Sequence, residues 1–277
     1  MNAFPPLCSA AGVRARLAGY GLTPNKALGQ NFLTDPAARD ALCGMTDLSL
    51  PVLEIGPGLG ALTEGLLARG SRVVAVEKDA AMVRVLRETL ADESLTVIEA
   101  DFLKADLFAL HALLGGGEFA VAGNLPYYAT TPIVLRLLAC GLPIRSMVLM
   151  LQQEAAERFF APPGHRVYGP LTVAAACAYT AGETLYLPPS AYFPQPNVHS
   201  SVVLLTRRAA LPAGFLPFLR DAFAMRRKTL FNNLLAMGFP REQIGQTLSA
   251  LSIPPDARAC ALPADQLLAL YARLSGS

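Results

Sequence analysis

The chain has 277 residues, of which 53% are hydrophobic and 16% charged, and its formal net charge is +2. This length and composition predict a globular protein with a sizeable core and exclude a disordered chain. No uncharged apolar run approaches the roughly 18 residues of a membrane span, and the first residues lack the pattern of a secretion signal.

The cysteine and histidine patterns bear on compartment and metal binding. The five cysteines never form a C-x-x-C pair, and the three histidines have no partner at ligand spacing. Scattered cysteines of this kind favour reduced thiols over a disulfide framework or a zinc site. We therefore expect a cytoplasmic protein that uses no metal and no membrane.

Apolar strands alternate with helical segments in the first half of the chain. Strands are predicted at 51–55, 72–77, 95–99, 119–122 and 144–151, and helices at 61–69, 80–90 and 132–140. This alternation predicts an α/β fold with a doubly wound, mainly parallel, Rossmann-like sheet. Ligands of such sheets bind at the carboxyl ends of the strands.

The pattern changes after Gly169. Two further strands are predicted at 183–187 and 198–206, and the apolar spacing becomes helical from about Pro212. Helix starts are predicted near Pro240, Pro254 and Pro263. We therefore expect an α/β domain over residues 1–208 and a small all-helical domain over residues 209–277.

A glycine-rich loop follows the first strand of the alternating region. Gly56 and Gly58 allow the backbone to turn sharply and to approach a ligand without a Cβ in the way. With Ala61 they also match the G-x-G-x-x-A fingerprint of dinucleotide-binding proteins. The loop predicts an adenosine-containing cofactor and leaves a nicotinamide-dependent oxidoreductase open.

Carboxylates end the next two strands. Glu77 lies about 20 residues after the glycines, where a carboxylate accepts hydrogen bonds from ribose hydroxyls. Asp101 could accept from the adenine amine, or it could cap a turn. Three successive strand ends with ligand-type residues favour adenosine binding.

Asn124-Leu125-Pro126-Tyr127 follows the apolar strand at 119–123. The segment is either a simple turn or a clamp for a flat ring that carries an amine. In a clamp, the Asn124 amide oxygen accepts from the amine, and Pro126 fixes the backbone so that the Leu125 carbonyl also accepts. The Tyr127 ring would stack on the bound ring.

The clamp separates methyl transfer from hydride transfer. Hydride transfer needs an acid/base group beside a nicotinamide, and no His, Lys or Tyr-Lys pair stands out at this strand end. The clamp instead fits transfer of a methyl group to an exocyclic amine. We therefore expect S-adenosylmethionine as the cofactor.

Two further features fit a nucleic-acid substrate. Phe193 is a second candidate for stacking on the target base, or else a core aromatic beneath the Pro194–Pro196 turn. Basic residues near the predicted helical domain are candidate phosphate contacts, or else an ordinary solvated face. They are Arg207, Arg208, Arg220, Arg226, Arg227 and Lys228.

Short segments along nearly the whole chain resemble the ribosomal RNA adenine dimethyltransferases. Asn124-Leu125-Pro126-Tyr127 itself is similar to the Asn/Asp-Pro-Pro-Tyr motif of adenine-N6 methyltransferases. The similar segments are residues 26–33, 54–60, 77, 100–101, 124–128, 153–158, 168–169, 193–200 and 226–230.

The resemblance implies a class I methyltransferase sheet with a small helical RNA-binding domain. It implies methyl transfer to N6 of two adjacent adenosines in a hairpin near the 3′ end of small-subunit (16S) rRNA. The implied protein is a monomer that acts on a pre-30S particle during ribosome biogenesis. The implied cofactor contacts are Asn31, Leu33, Gly56, Glu77, Asp101 and Asn124.

Two alternatives have the same fold. One is the macrolide-resistance type of enzyme, which methylates an adenine of large-subunit rRNA. The other is a non-catalytic assembly factor. Retention of Glu77, Asp101 and the Asn124 turn favours an enzyme.

Overall fold

The structure of the chain is a computed structural model that describes residues 5–25, 28–126 and 129–276. The chain divides into two compact units. The first unit is Met1–Ala156 with Gly182–Thr206, and the second is Glu157–Ala181 with Arg207–Ser277. Among the described residues, no helix combines the length and apolar character needed to cross a bilayer.

The described residues form strands and helices over most of their length. The strands are β1 (Phe32–Leu33), β2 (Val52–Ile55), β3 (Val73–Glu77), β4 (Leu95–Glu99), β5 (Phe119–Asn124), β6 (Ile144–Gln152), β7 (Tyr179–Leu187), β8 (Tyr192–Phe193) and β9 (Ser200–Arg207). The helices are α1 (Ala10–Gly19), α2 (Pro36–Met45), α3 (Ala61–Leu67), α4 (Ala80–Thr89), α5 (Leu107–Leu113), α6 (Thr130–Ala139), α7 (Gln153–Glu157), α8 (Pro170–Ala178), α9 (Phe215–Ala222), α10 (Leu230–Ala236), α11 (Arg241–Ala250) and α12 (Ala264–Ser275).

Seven strands form one sheet in the order β4-β3-β2-β5-β6-β9-β7. Strands β4, β3, β2, β5 and β6 are parallel, and β9 runs antiparallel to β6. The predicted α/β fold with a mainly parallel sheet is therefore confirmed. The strand order reverses between β2 and β5, and this switch point is where ligands of such sheets bind.

The central strands are built for burial on both faces. Every residue of Val52–Ile55 and of Val73–Glu77 is buried, which is typical of parallel strands covered by helices. Aspartates cap helices α4 and α5: Asp79 accepts a hydrogen bond from Ala81 N, and Asp106 accepts from Phe108 N. These N-caps satisfy backbone donors that the first turn of a helix leaves unpaired.

Strands β1 and β8 form a separate two-stranded ribbon. Phe32 pairs with Phe193 and Leu33 with Tyr192. The Arg14 guanidinium of α1 lies 4.8 Å from the centre of the Phe193 ring, a cation–π contact. The ribbon thus joins the segment before α2 to the aromatic loop that precedes β9.

The second unit corrects the predicted domain boundary. The prediction placed all of residues 1–208 in the α/β domain, but residues 157–181 group with the C-terminal helices. Helix α8 packs on α9 and α12, and the buried Tyr168 hydroxyl donates to the Leu262 carbonyl at 2.7 Å. Such contacts join distant parts of the chain, so local sequence patterns did not reveal them.

Prolines mark two of the three predicted helix starts in this unit. Pro240 and Pro263 directly precede α11 and α12. The prediction at Pro254 was wrong, because a turn and a short 3-10 helix (Ala259–Ala261) follow it. The carbonyl of Ala257 accepts from Leu230 N at 2.7 Å, which holds this segment as a loop against the start of α10.

We expect Gly123→Ala to destabilise the sheet at the switch point. A Cβ on Gly123 would lie 2.6 Å from the backbone oxygen of Ile55, so β2 and β5 would have to separate. Overpacking of this kind costs ~1–3 kcal/mol, measurable as a lower free energy of unfolding in urea. Gly117→Ala is the matched control, since a Cβ there meets open space. Equal stability of the two variants would show that the strands separate without cost.

Candidate active site

A pocket opens at the carboxyl ends of β2, β3 and β5, next to the switch point. It brings together the residues predicted for cofactor binding and most of the predicted clamp. They are Asn31, Leu33, Gly56, Gly58, Glu77, Asp101, Asn124, Leu125 and Pro126. All of them belong to the first unit.

The glycine loop forms one wall of the pocket. Gly56 and Gly58 have φ of +68° and +58°, in the left-handed region that glycine adopts without strain. A Cβ on Gly58 would lie 3.2 Å from the Phe32 ring, which also lines the pocket. Because neither glycine carries a Cβ, the backbone of the loop can lie directly against a ligand in the pocket.

Glu77 holds the glycine loop in place. One of its carboxylate oxygens accepts from Gly58 N at 3.0 Å. The other accepts from Lys78 N at 2.7 Å and Asp79 N at 2.8 Å. Burial raises the pKa of Glu77 and outweighs these hydrogen bonds, which favour the charged form. A carboxylate has about four acceptor positions, so the predicted ribose contact is compatible with this supporting role.

Asp101 forms a turn contact and an ion pair at the end of β4. Its Oδ1 accepts from Leu103 N at 3.0 Å, and its Oδ2 lies 3.0 Å from Lys78 Nζ. The Lys78 ammonium, through this contact, holds the pKa of Asp101 below its usual value. The cap interpretation is therefore observed, and the residue also lines the pocket. Lys78 was not predicted as a site residue, although it follows Glu77 directly.

The Asn124 side chain is oriented by the N-terminal segment. Its Nδ2 donates to the Asn31 carbonyl at 3.0 Å. Because this nitrogen is committed, Oδ1 is the atom of the amide that can accept from a ligand amine. The two residues are 93 positions apart, so the contact could not be inferred from spacing.

The turn after Asn124 is fixed by backbone hydrogen bonds. Leu125 N donates to Met150 O at 3.1 Å, which continues the pairing of β5 with β6. Ala129 N donates to Pro126 O at 2.9 Å at the start of α6. The Leu125 side chain is buried, so its contribution to a clamp is limited to its backbone. Tyr127 lies outside the described residues.

Phe193 lies in β8, which is separated from the pocket by β1. It is half-buried in β8 and pairs with Phe32, which lines the pocket, while Arg14 contacts its ring. Partial burial accords with the core-aromatic alternative but leaves ring surface exposed. The stacking role stays a prediction.

Glu54 is a pocket residue that the sequence analysis missed. It is 1% exposed, and its Oε2 has no hydrogen-bond partner among the described residues. Burial raises its pKa to about 8, and the nearby Glu77 charge adds to the rise, while Thr63 opposes it. The available signal was a charged residue within the apolar strand Val52–Ile55. Such a group is a candidate functional residue, because a buried carboxyl without a full set of hydrogen bonds is costly to the fold.

Metal ligands do not cluster in this structure. Across residues 5–25, 28–126 and 129–276, no group of three His, Cys, Asp or Glu side chains is placed to hold an ion. The donors at the pocket are carboxylates and amides committed to backbone contacts.

The predicted phosphate contacts in the second unit differ in their surroundings. Arg226 donates from Nη1 to Tyr168 O at 2.9 Å and from Nη2 to Arg166 O at 3.2 Å. Arg220 pairs with Asp221 at 2.8 Å. Arg208, Arg227 and Lys228 are exposed, whereas Arg207 is partly buried.

A parallel α/β sheet with a glycine loop, strand-end carboxylates and an Asn-Leu-Pro turn at its switch point defines a Rossmann-like methyltransferase. The family model described as "Ribosomal RNA adenine dimethylase" matches residues 21–275. The chain therefore belongs to the ribosomal RNA adenine dimethylase family, and it is an enzyme of the methyltransferase class. The nicotinamide-dependent oxidoreductase alternative is thereby set aside.

Curated relatives cover almost all of the chain. Ribosomal RNA small subunit methyltransferase A of Geobacillus thermodenitrificans is 43% identical over 262 residues, which cover 87% of this chain and 88% of the relative. The protein of the same name from Deinococcus radiodurans is 44% identical over 275 residues, which cover 97% and 92%.

Two solved structures are each similar over 88% of the chain. A dimethyladenosine transferase from Plasmodium falciparum matches with a TM-score of 0.72 at 24% identity, over 98% of its own chain, and shows the fold. The 23S rRNA methyltransferase ErmE matches with a TM-score of 0.64 at 28% identity over its whole chain.

We expect Glu54→Gln to change the pH dependence of stability. The pKa of Glu54 is raised from 4.5 to about 8, so between these values the folded protein keeps a proton that the unfolded chain has lost. The wild type therefore loses stability as pH rises through this window, whereas glutamine does not titrate. The stability of the variant relative to wild type should grow from pH 5 to pH 8 and then level off. Urea denaturation without ligand measures this, and parallel profiles would mean that Glu54 is ionised throughout.

Proposed function

We propose that this protein transfers methyl groups from S-adenosylmethionine to N6 of two adjacent adenosines in a hairpin near the 3′ end of small-subunit rRNA. The products would be N6,N6-dimethyladenosines. Family membership and the names of the relatives support the reaction class and the subunit. The observation that carries the proposal is the fixed Asn124 amide, whose Oδ1 is directed by the Asn31 contact to accept from an amine.

The pocket residues fit S-adenosylmethionine. In this proposal Glu77 would accept hydrogen bonds from the ribose hydroxyls, and Asp101, which also lines the pocket, would accept from the adenine amine. Asn31, Leu33 and the glycine loop supply close walls for the rest of the ligand. Glu54 also lines the pocket, and its buried carboxyl would ionise more readily beside a cationic ligand than beside a neutral one. When bound, the cofactor supplies a methyl group on positively charged sulfur.

The clamp would act by placement and electrostatics. Asn124 Oδ1 and the Leu125 carbonyl would accept hydrogen bonds from the two N6–H groups. This arrangement favours a tetrahedral nitrogen with its lone pair directed at the methyl donor. Pro126 limits the motion of this turn, and its carbonyl accepts a hydrogen bond from Ala129 N, directly before α6. A general base is unnecessary, because the proton leaves to water after transfer.

A second transfer uses the same contacts. The monomethylated amine keeps one N–H for the clamp, so the pocket needs only to admit the added methyl group. The target base must leave its RNA helix or loop to reach Asn124. Tyr127 and Phe193 are the proposed stacking residues, and each stack is worth ~1–3 kcal/mol.

The basic residues of the second unit are proposed to contact rRNA phosphates. Arg227 and Lys228 are the strongest candidates because they are exposed beside the start of α10. Arg226 is proposed chiefly to support the 166–168 segment, and the Arg220 charge is partly offset by Asp221. Arg207 and Arg208 would extend the surface. Specificity would come from the shape of a folded RNA in a pre-30S particle, bound by a cytoplasmic monomer.

Large-subunit methylation is the second candidate function. The match to ErmE supports it, since that protein is titled a 23S rRNA methyltransferase. The small-subunit relatives are more similar, at 43% and 44% identity against 28%. A non-catalytic assembly role is less well supported, because the clamp and cofactor residues are all present.

We expect Asn124→Ala to lower methyl transfer to small subunits by at least ~100-fold, the usual effect of removing one stabilising contact to a reacting group. The protein is incubated with tritiated S-adenosylmethionine and unmethylated small or large subunits, and modified bases are mapped. RNA affinity should stay within a few fold. Asn232→Ala makes the same chemical change on α10 and should retain activity. Near-normal turnover by Asn124→Ala, or wild-type labelling of large subunits alone, would contradict the proposal.

We expect Arg227→Ala with Lys228→Ala to flatten the salt dependence of RNA affinity. The slope of log affinity against log salt should fall by about 0.7–0.9 for each phosphate that the variant no longer neutralises. Arg220→Ala serves as the comparison, because its guanidinium is paired with Asp221 and should change the slope less. An unaltered slope in the double variant would remove this pair from the RNA surface.

A further inference from the structure

Tyr186 and His199 form an exposed aromatic stack in the first unit. Their ring centres are 4.8 Å apart and their planes differ by 23°. Tyr186 is 53% exposed, and His199 is exposed as well. Aromatic side chains usually bury a large area, so a stacked pair in solvent is a ready surface for a third planar group.

The stack lies at the same end of the sheet as the clamp. Asn124 is in register with Met150, and Met150 is in register with Val202 of β9. Position 202 is therefore two strand spacings, about 10 Å, from Asn124, and His199 lies three residues, roughly 10 Å, farther out. Gln153 N donates to His199 O at 3.1 Å, which fixes this point beyond the end of β6.

Tyr186 reaches the same place from β7. Two contacts give the direction of β7 relative to β9. Gly182 lies beside Leu204, since a Cβ on Gly182 would be near the Leu204 backbone oxygen. Four residues later along β7, Tyr186 contacts His199. As residue number rises along β7 it falls along β9, so the two strands are antiparallel. The carboxyl end of β7 thus lies beside the start of β9, at the catalytic end of the sheet.

We infer that Tyr186 and His199 form a stacking platform for an unpaired base of the substrate RNA that flanks the target adenosine. The inference rests on the proposed function, since RNA must approach this end of the sheet to place a base at Asn124. The platform lies outside the pocket, so its base is a neighbour of the target and not the target itself.

The absence of tryptophan from the chain allows a direct test. Tyr186→Trp makes residue 186 the single tryptophan and keeps an aromatic ring on the platform. Its fluorescence should be quenched saturably by the unmethylated small-subunit rRNA hairpin. Leu113→Trp is the matched control, because Leu113 is 39% exposed at the end of α5. The chain then enters β5 at its amino end, which is the end of the sheet opposite Asn124. Its fluorescence should change little.

Tyr186→Ala tests the same contact by affinity. Loss of one stacked base should raise the KM for the RNA by about 5- to 150-fold with little change in kcat. Tyr186→Phe should stay close to wild type, because it keeps the ring. Affinity for S-adenosylmethionine, measured by calorimetry, should be the same in all variants.

The outcomes separate the platform from the proposed function. Unquenched Tyr186→Trp together with an unchanged KM for Tyr186→Ala overturns the platform, even where wild type methylates small subunits normally. Quenching by whole subunits but not by naked rRNA also overturns it and indicates a protein partner. Saturable quenching by the hairpin without methylation of small subunits supports the platform and sinks the proposed function.

Discussion

Strands β2 and β5 lie so close at the switch point that the backbone oxygen of Ile55 occupies the space of a Cβ on Gly123. The two strands in this contact carry the glycine loop and Asn124, which lie on either side of the pocket. The chain continues from Ile55 into the glycine loop, and from Gly123 into Asn124. The separation of β2 and β5 therefore sets the distance between the glycine loop and the Asn124 amide. Any larger residue at position 123 would move one relative to the other, which explains a glycine inside an otherwise tightly packed strand.

The electrostatics of the pocket depend on two buried carboxylates with different partners. Glu77 accepts three backbone N–H groups, and Glu54 has an oxygen without a hydrogen-bond partner among the described residues. Burial raises both pKa values, and the Glu77 charge adds to the rise at Glu54. A cationic ligand would relieve the cost of ionising this pair, whereas its neutral product would relieve less of it.

Sequence patterns predicted the parts of the molecule that depend on local order. Strand alternation indicated the sheet, and strand ends carrying Gly56, Glu77 and Asp101 indicated the pocket, because parallel strands bring their carboxyl ends together. Contacts between distant segments were not predictable in this way. The Asn31–Asn124 hydrogen bond, the Arg14–Phe193 contact and the grouping of residues 157–181 with the C-terminal helices each join residues with no common periodicity. Glu54 was missed because alternation treats a strand residue as core.

The short strand β1 connects the pocket to the aromatic loop, which carries Tyr192 and Phe193. The Asn31 carbonyl orients the clamp, the Phe32 ring lines the pocket against Gly58, and both Phe32 and Leu33 pair with β8. A base that contacts Phe193 would therefore displace β1, which directly follows Asn31, the residue whose carbonyl holds the Asn124 amide. Because the ribbon has only two strands, it has few hydrogen bonds to resist such a displacement. In the proposed function, binding of a base at this loop would therefore be coupled through β1 to the orientation of the Asn124 amide. A base that stacks on Phe193 would thereby help to orient the Asn124 amide that is proposed to accept from it.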